Sequence, residues 1–219
     1  MGRLEFNVPD GFDLAQFVSA EAHDLRSPFS HVVGFSKLVL NGQDGPITDL
    51  QKEDLTTIYH SGMRALTLLN GLIDLARLSR HEKATTLAPV DTPRALDQAI
   101  AQWKKFSPGR RIAVEADYQA VTPGLLADED HLKQAVVSFM AYAAAYTEDP
   151  ARMIVRAEVE PGWQVITITS VGKRPLQPSA LDSRIHGAVG RGMVELNGGL
   201  IRSGEDSADG ATICFALPT

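Results

Sequence analysis

The run SAEAHDLRSPFS, residues 19–30, brings His23, Asp24, Arg26, Ser27 and Pro28 close together in one short stretch. An exposed imidazole is largely neutral at pH 7, and its unprotonated nitrogen can attack phosphorus. Asp24 can accept a hydrogen bond from the other ring nitrogen, fixing the tautomer and stabilising the positive charge that grows as a P–N bond forms. Arg26, Ser27 and Ser30 flank the histidine on the same outer side. Pro28 lacks the N–H that would bond the carbonyl of Asp24, so a bend is expected one turn after His23, re-aiming the imidazole.

The element carrying these residues has to be a helix. From Asp13 to Asn41 apolar residues fall at Leu14, Val18, Ala22, Leu25, Phe29, Val32 and Val39, mostly three or four apart. At a helical turn of about 100° per residue, His23 faces away from that stripe. Asp10 or Asp13 can cap its start, and NGQDGP at 41–46 ends it. A second stripe from Asp49 to His81 alternates steps of three and four through Leu55, Ile58, Gly62, Ala65, Leu69, Leu72 and Ala76, as a coiled-coil seam does. Two such helices joined by a turn make an antiparallel hairpin, and one this apolar is expected to dimerise into a four-helix bundle.

Composition narrows the classes of function. With 219 residues, a net charge of -6 and no Lys/Arg cluster, the chain has room for two domains and no electrostatic footprint for nucleic acid. Cys214 is the single cysteine, which excludes an intramolecular disulfide and zinc sites built on cysteine pairs. No apolar run approaches membrane-spanning length and MGRLEFNVPDG lacks a signal-peptide core, so a cytoplasmic protein without a membrane segment is expected.

After His81 the texture changes, and EKATTLAPVDTP reads as a connector. The division is therefore drawn as residues 1–84 for the hairpin and 85–219 for a second domain. There TPRALDQAIAQWKK reads as a helix, RRIAVEADY as a strand, and DEDHLKQAVVSFMAYAAAYT as a buried helix opened by acids. ARMIVRAEVEPGWQVITITS reads as two strands about a Pro-Gly turn, VGRGMVELNGGLIRSG as a short helix capped by Gly198 and Gly199, and GATICFALP as a last strand. The fold class is helical hairpin plus α+β sandwich. His60, His81, His131 and His186 lack partners at metal spacing, so no metal site is expected; His31, about 80° round the helix from His23, could line the same surface but reads more simply as a solvated side chain. Trp103 and Trp163 read as core or interface aromatics.

The string HDLRSPFSHVVGFSKLVLNG resembles the phosphoacceptor box of two-component sensor histidine kinases: His, an acid, Leu, Arg, Ser or Thr, Pro, then a Gly-Phe step that Gly34 and Phe35 supply. LLNGLIDLARLSRHE is similar to the family's second dimerisation helix. The resemblance implies that His23 is the phosphorylated residue, that Asp24 is its acid/base partner, that Ser27 positions a water for dephosphorylating a partner, and that Arg26 and Pro28 are positioning residues. It further implies a homodimer, a response regulator receiver domain as partner, and a sensor protein or kinase acting in trans.

The family places an ATP-binding domain after the hairpin, and LLADEDHLKQAVVSFMAYAAAYTED is similar to its asparagine-box helix. Here the two asparagines fall on Ser138 and Tyr142, and a neutral phenol is a poor substitute for an amide oxygen at Mg²⁺. VITITSVGKRP lines up with the first glycine box, but its adenine-reading aspartate falls on Ser170, Gly172 remains, and the second glycine falls on Arg174. Few residues are left for a lid, and Gly187, Gly190 and Gly192 read either as a relic of a phosphate loop or as a tight turn into a helix. Phosphoryl transfer from ATP depends on positioned Mg²⁺ and phosphate contacts, so their joint loss points to an ATPase-like scaffold that binds no cofactor of its own. The expectation is a histidine phosphotransferase relaying phosphoryl groups to or from regulator aspartates, with Mg²⁺ supplied by the regulator. An ATP-dependent autokinase with a divergent site and a non-catalytic adaptor docking a regulator stand as alternatives.

Overall fold

A computed structural model describes residues 11–43, 45–176, 179–207 and 209–219. Helices α1 (Leu14–Ala20), α2 (Ala22–Leu40) and α3 (Asp49–Ser79) form the hairpin. Asp13 caps α1 by accepting from the Gln16 amide, whereas Asp10, the other candidate cap, lies outside the described residues. Thr48 and Gln51 cap α3 reciprocally, each side chain accepting from the other's backbone N–H.

The single helix expected from Asp13 to Asn41, bent at Pro28, is corrected to two. The interruption lies at Glu21, two residues before His23, and α2 runs on through Pro28. Pro28 is exposed, so its ring needs no space in the core, and the Asp24 carbonyl that lacks its amide partner is on the wet side of the helix. Tertiary ties hold α1 in place. Ser19 donates to Glu82 at 2.7 Å, and Arg80 bridges Glu82 and Asp13.

Those ties have a pH signature. The Gln16 amide, and behind it Arg80, hold the Asp13 carboxyl below its ordinary value, and the Ser19 hydroxyl with Arg80 does the same for Glu82. Carboxylates with folded-state values below the unfolded ones stabilise above the unfolded value and lose that contribution as pH falls through the folded one. Helix α1 is therefore expected to come loose below about pH 4 while the sandwich persists, checked by the amide resonances of residues 13–20 in an acid titration.

The second part contains β1 (Ala88–Val90), α4 (Thr92–Phe106), β2 (Ile112–Tyr118), β3 (Leu125–Ala127), α5 (Glu129–Ala144), β4 (Ala151–Glu160), β5 (Trp163–Val171), α6 (Ala180–Leu196), β6 (Leu200–Ser207) and β7 (Gly210–Pro218). Five strands run in the order β2-β4-β5-β7-β6, antiparallel except for the β2–β4 pair, and β1 with β3 makes a small separate ladder. Helices α4, α5 and α6 cover one face of the large sheet. Between them lie Leu96, Leu132, Met140, Met153, Ile166, Ile168, Met193 and Phe215, all essentially fully buried. Burying a side chain of this size stabilises by about 1.5–3 kcal/mol, which gives the sheet–helix interface its cohesion.

The short helix expected near Gly198 is corrected to a helix of 17 residues followed by β6. Gly187, Gly190 and Gly192 lie inside α6, in neither a phosphate loop nor a turn. They are small because α6 crosses α5 and α3 closely: a β-carbon on Gly190 would lie 2.6 Å from the Phe139 ring.

The sandwich rests on α3 of its own hairpin. Leu68, Leu75 and Leu78 pack against its core, Gly71 lets Ile185 of α6 approach within a β-carbon's reach, and Arg64 pairs with Asp182 at 2.7 Å. Asp74 on α3 takes Lys83 at 2.9 Å and Gln134 at 3.3 Å. The stripe on the other side is left open: Leu14, Phe29, Val32, Phe35, Leu50 and Ile58 are all exposed in the protomer.

Candidate functional site

His23 is the second residue of α2, where the break at Glu21 puts it at the edge of the hairpin. Its side chain is 95% exposed. Nδ1 lies 3.2 Å from Asp24 Oδ1. In the neutral ring that pairing places the proton on Nδ1 and leaves the lone pair on Nε2, pointing toward solvent-accessible space. Exposure and tautomer together are what an attacking nitrogen requires.

Three residues stand behind it. Arg26 Nε donates to Asn70 Oδ1 on α3, tying the turn that carries His23 to the second helix. Ser27, half-buried one turn after His23, and exposed Pro28 complete the box. Asn70 was invisible as a partner from spacing alone, although one amide inside LLNGLI breaks an apolar run and signals a polar contact. Arg26→Ala is expected to leave the fold standing, cost about 1 kcal/mol of stability, and broaden the His23 ring resonances as α2 loses its tether.

The sequence-predicted nucleotide residues are brought together on the sandwich, remote in kind from the exposed histidine. Ser138 is buried in α5 and its hydroxyl has no partner among the described residues. Tyr142, on the same helix, packs its ring against Gly187 and stacks on Tyr146 with centroids 5.1 Å apart. The Arg174 guanidinium lies over Tyr146 at 5.5 Å. Ser170 is 2% exposed; its hydroxyl donates to the Ala143 carbonyl at 3.0 Å and accepts from the Ala211 amide at 3.1 Å. Gly172 gives its N–H to the Asp209 carbonyl at 2.9 Å, and a β-carbon there would meet Ala151. Ser170 thus spends its hydroxyl on the protein itself, while that of Ser138 is buried without a partner among the described residues.

Among the described residues, no group of three or more His, Cys, Asp or Glu side chains is placed to hold a metal ion, and no helix is long and apolar enough to cross a membrane. His131 and His186 are both buried, with burial pushing each imidazole below its ordinary value.

Residues 13–81 match the family model described as the His Kinase A (phospho-acceptor) domain. Over 152 residues the chain is 26% identical to the cell-division control histidine kinase PdhS of Brucella abortus, a stretch covering 69% of this chain and 15% of that protein. Residues 13–81 are thus a phospho-acceptor region of the His Kinase A type, and the chain as a whole is similar to two-component sensor histidine kinases. It spans about 15% of the length of the relatives it matches, PdhS of Brucella suis included.

Solved histidine kinases share the fold throughout. Full-length ShkA in complex with AMPPNP superposes with a TM-score of 0.65 at 22% identity, over 93% of this chain and 46% of that one. The Acinetobacter baumannii histidine kinase AdeS gives 0.58 at 14%, over 90% and 97%. The histidine kinase ThkA in complex with the response regulator protein TrrA gives 0.58 at 13%, over 96% and 68%. These likenesses establish a helical region followed by the histidine-kinase type of α/β sheet domain.

Proposed function

We propose that this histidine-kinase-like chain is a phosphotransferase, in which His23 carries a phosphoryl group between proteins. The Nε2 lone pair attacks phosphorus of an aspartyl phosphate on a response regulator. The P–N bond forms as the bond from phosphorus to the aspartyl oxygen breaks, and the regulator's carboxylate leaves with that electron pair. Asp24 keeps the Nδ1 proton and stabilises the imidazolium that results. The reverse sequence delivers the group to another regulator's aspartate, with Mg²⁺ held in the regulator's own acidic pocket; a kinase in trans is an equivalent donor. Ser27 orients a water for hydrolysis of the partner's phosphate. The response regulator complex of ThkA supports a receiver domain as partner, and the open stripe through Phe29, Phe35 and Ile58 supports a homodimer built as a four-helix bundle.

The observation that carries the choice of donor is Ser170. Where reading adenine calls for a free carboxylate, this position holds a buried hydroxyl already bonded to Ala143 and Ala211. The residues present do not fit Mg²⁺·ATP. Titration of the full chain with Mg²⁺·ATP is expected to give no binding at sub-millimolar concentration by calorimetry. The second reading, an ATP-dependent autokinase with a divergent site, draws on the relatives being histidine kinases and on the AMPPNP complex of ShkA. Sub-millimolar binding in that titration decides for it.

A further inference from the structure

A cavity of about 340 Å³ lies where the hairpin meets the sandwich. His60 and Arg64 of α3, Trp103 and Phe106 of α4, Ala144 of α5 and His186 of α6 contribute to its walls, so neither part builds it alone. None of the nucleotide-box positions Ser138, Tyr142, Ser170 or Arg174 lines it.

Two ring systems in these walls have unmet hydrogen-bonding capacity. His186 is 8% exposed and makes no hydrogen bond among the described residues; burial keeps it neutral at pH 7, so it offers one donor and one acceptor. Trp103 is 3% exposed, and its indole Nε1, which can only donate, is buried without a partner among the described residues. Buried polar groups are normally satisfied, so the unpartnered Trp103 N–H on the wall of this cavity marks a place where a partner belongs, and His186 faces the same space. The cations nearby are already neutralised: Arg64 by Asp182 at 2.7 Å, and Arg110 by Asp149 at 2.9 Å. A charged ligand would have no unpaired counter-charge in these walls. The Phe106 ring and the Ala144 methyl supply apolar wall, and the volume suits a molecule of nucleobase size.

We propose that this interdomain cavity is a binding site for an uncharged, planar heterocycle or aromatic amide, which accepts a hydrogen bond from Trp103 Nε1 and exchanges one with His186. A molecule seated there touches α3 and α6 at once and clamps the sandwich to the hairpin.

The chain has only two tryptophans, which makes the test direct. In the full ¹⁵N-labelled chain, the indole N–H resonance of Trp103 is followed against nicotinamide and hypoxanthine. Trp163, beside Arg202 at the far end of the sheet, is the internal reference. The expected result is a saturable shift at Trp103 alone, with a dissociation constant of about 1 mM for probes of this size. Benzene, which has the shape but no donors or acceptors, is expected to leave the resonance in place. His186→Phe keeps the ring bulk and removes the nitrogens, and Thr67→Phe fills the cavity from α3; each is expected to weaken the shift at least tenfold with the Trp163 resonance unchanged. If one variant loses that reference signal through unfolding, the other decides. No shift with either probe, an equal shift with benzene, or an undiminished shift in a folded variant overturns the proposal.

Discussion

His23→Ala is expected to abolish phosphoryl acceptance from a phosphorylated receiver domain, with transfer falling by about a thousandfold or more to background. The side chain is 95% exposed and, among the described residues, hydrogen-bonds to Asp24 alone, so stability is expected to stay within about 0.5 kcal/mol of wild type. That separation of activity from stability gives the variant its force: a lost relay in a fully folded protein cannot be assigned to misfolding. Asp24→Asn tests the next layer. An amide can still face Nδ1, but it carries no charge to offset the imidazolium, and transfer is expected to drop about a hundredfold. A non-catalytic adaptor predicts the opposite for His23→Ala, namely signalling that survives. Label transfer on gels, with urea denaturation of the same samples, reads both quantities.

Phe215→Ala is expected to cost about 3–5 kcal/mol, the largest stability loss of any single truncation considered. Phe215 is wholly buried on β7, between its ladder partners Ile166 on β5 and Ile201 on β6, and its ring stacks on Phe139 at 5.4 Å. Removing it leaves a cavity bounded by sheet and α5, which rigid ladder hydrogen bonds keep from collapsing. Against a total stability of about 5–15 kcal/mol this is a large share, and the thermal midpoint is expected to fall by about 10 °C. Gly190→Leu tests the other side of the same ring. Phe139 fills the space that a side chain on Gly190 would need, so overpacking is expected to cost about 1–3 kcal/mol. A phosphate-loop role for Gly190 predicts instead a change in nucleotide binding with stability preserved.

The hairpin was legible because its two stripes repeat over many turns, and His23 with Asp24 was legible because it breaks that stripe on the outer side. What failed was tertiary in origin. The interruption at Glu21 has no local mark in the sequence, and the contacts that tie α1 down, Ser19 and Arg80 to Glu82 and Arg80 to Asp13, join residues far apart in the chain. Gly187, Gly190 and Gly192 looked like a turn because glycine disfavours helices; their partners Tyr142, Phe139 and Leu78 lie far away in the chain, and close packing outweighs the propensity cost of about 1 kcal/mol each. The β1–β3 ladder has only three residues a side, too short for any alternation to register. The residue types at the expected nucleotide positions were readable from the sequence alone. That Ser170 turns its hydroxyl to Ala143 required the fold.

The most direct measurement is transfer of label to the full chain from a receiver domain phosphorylated on its aspartate, in Mg²⁺ buffer without nucleotide, beside a parallel reaction with γ-labelled ATP and no receiver. The relay account predicts acid-labile label on His23 in the first reaction and none in the second. Label on His23 from ATP alone, with none from the receiver, would contradict it.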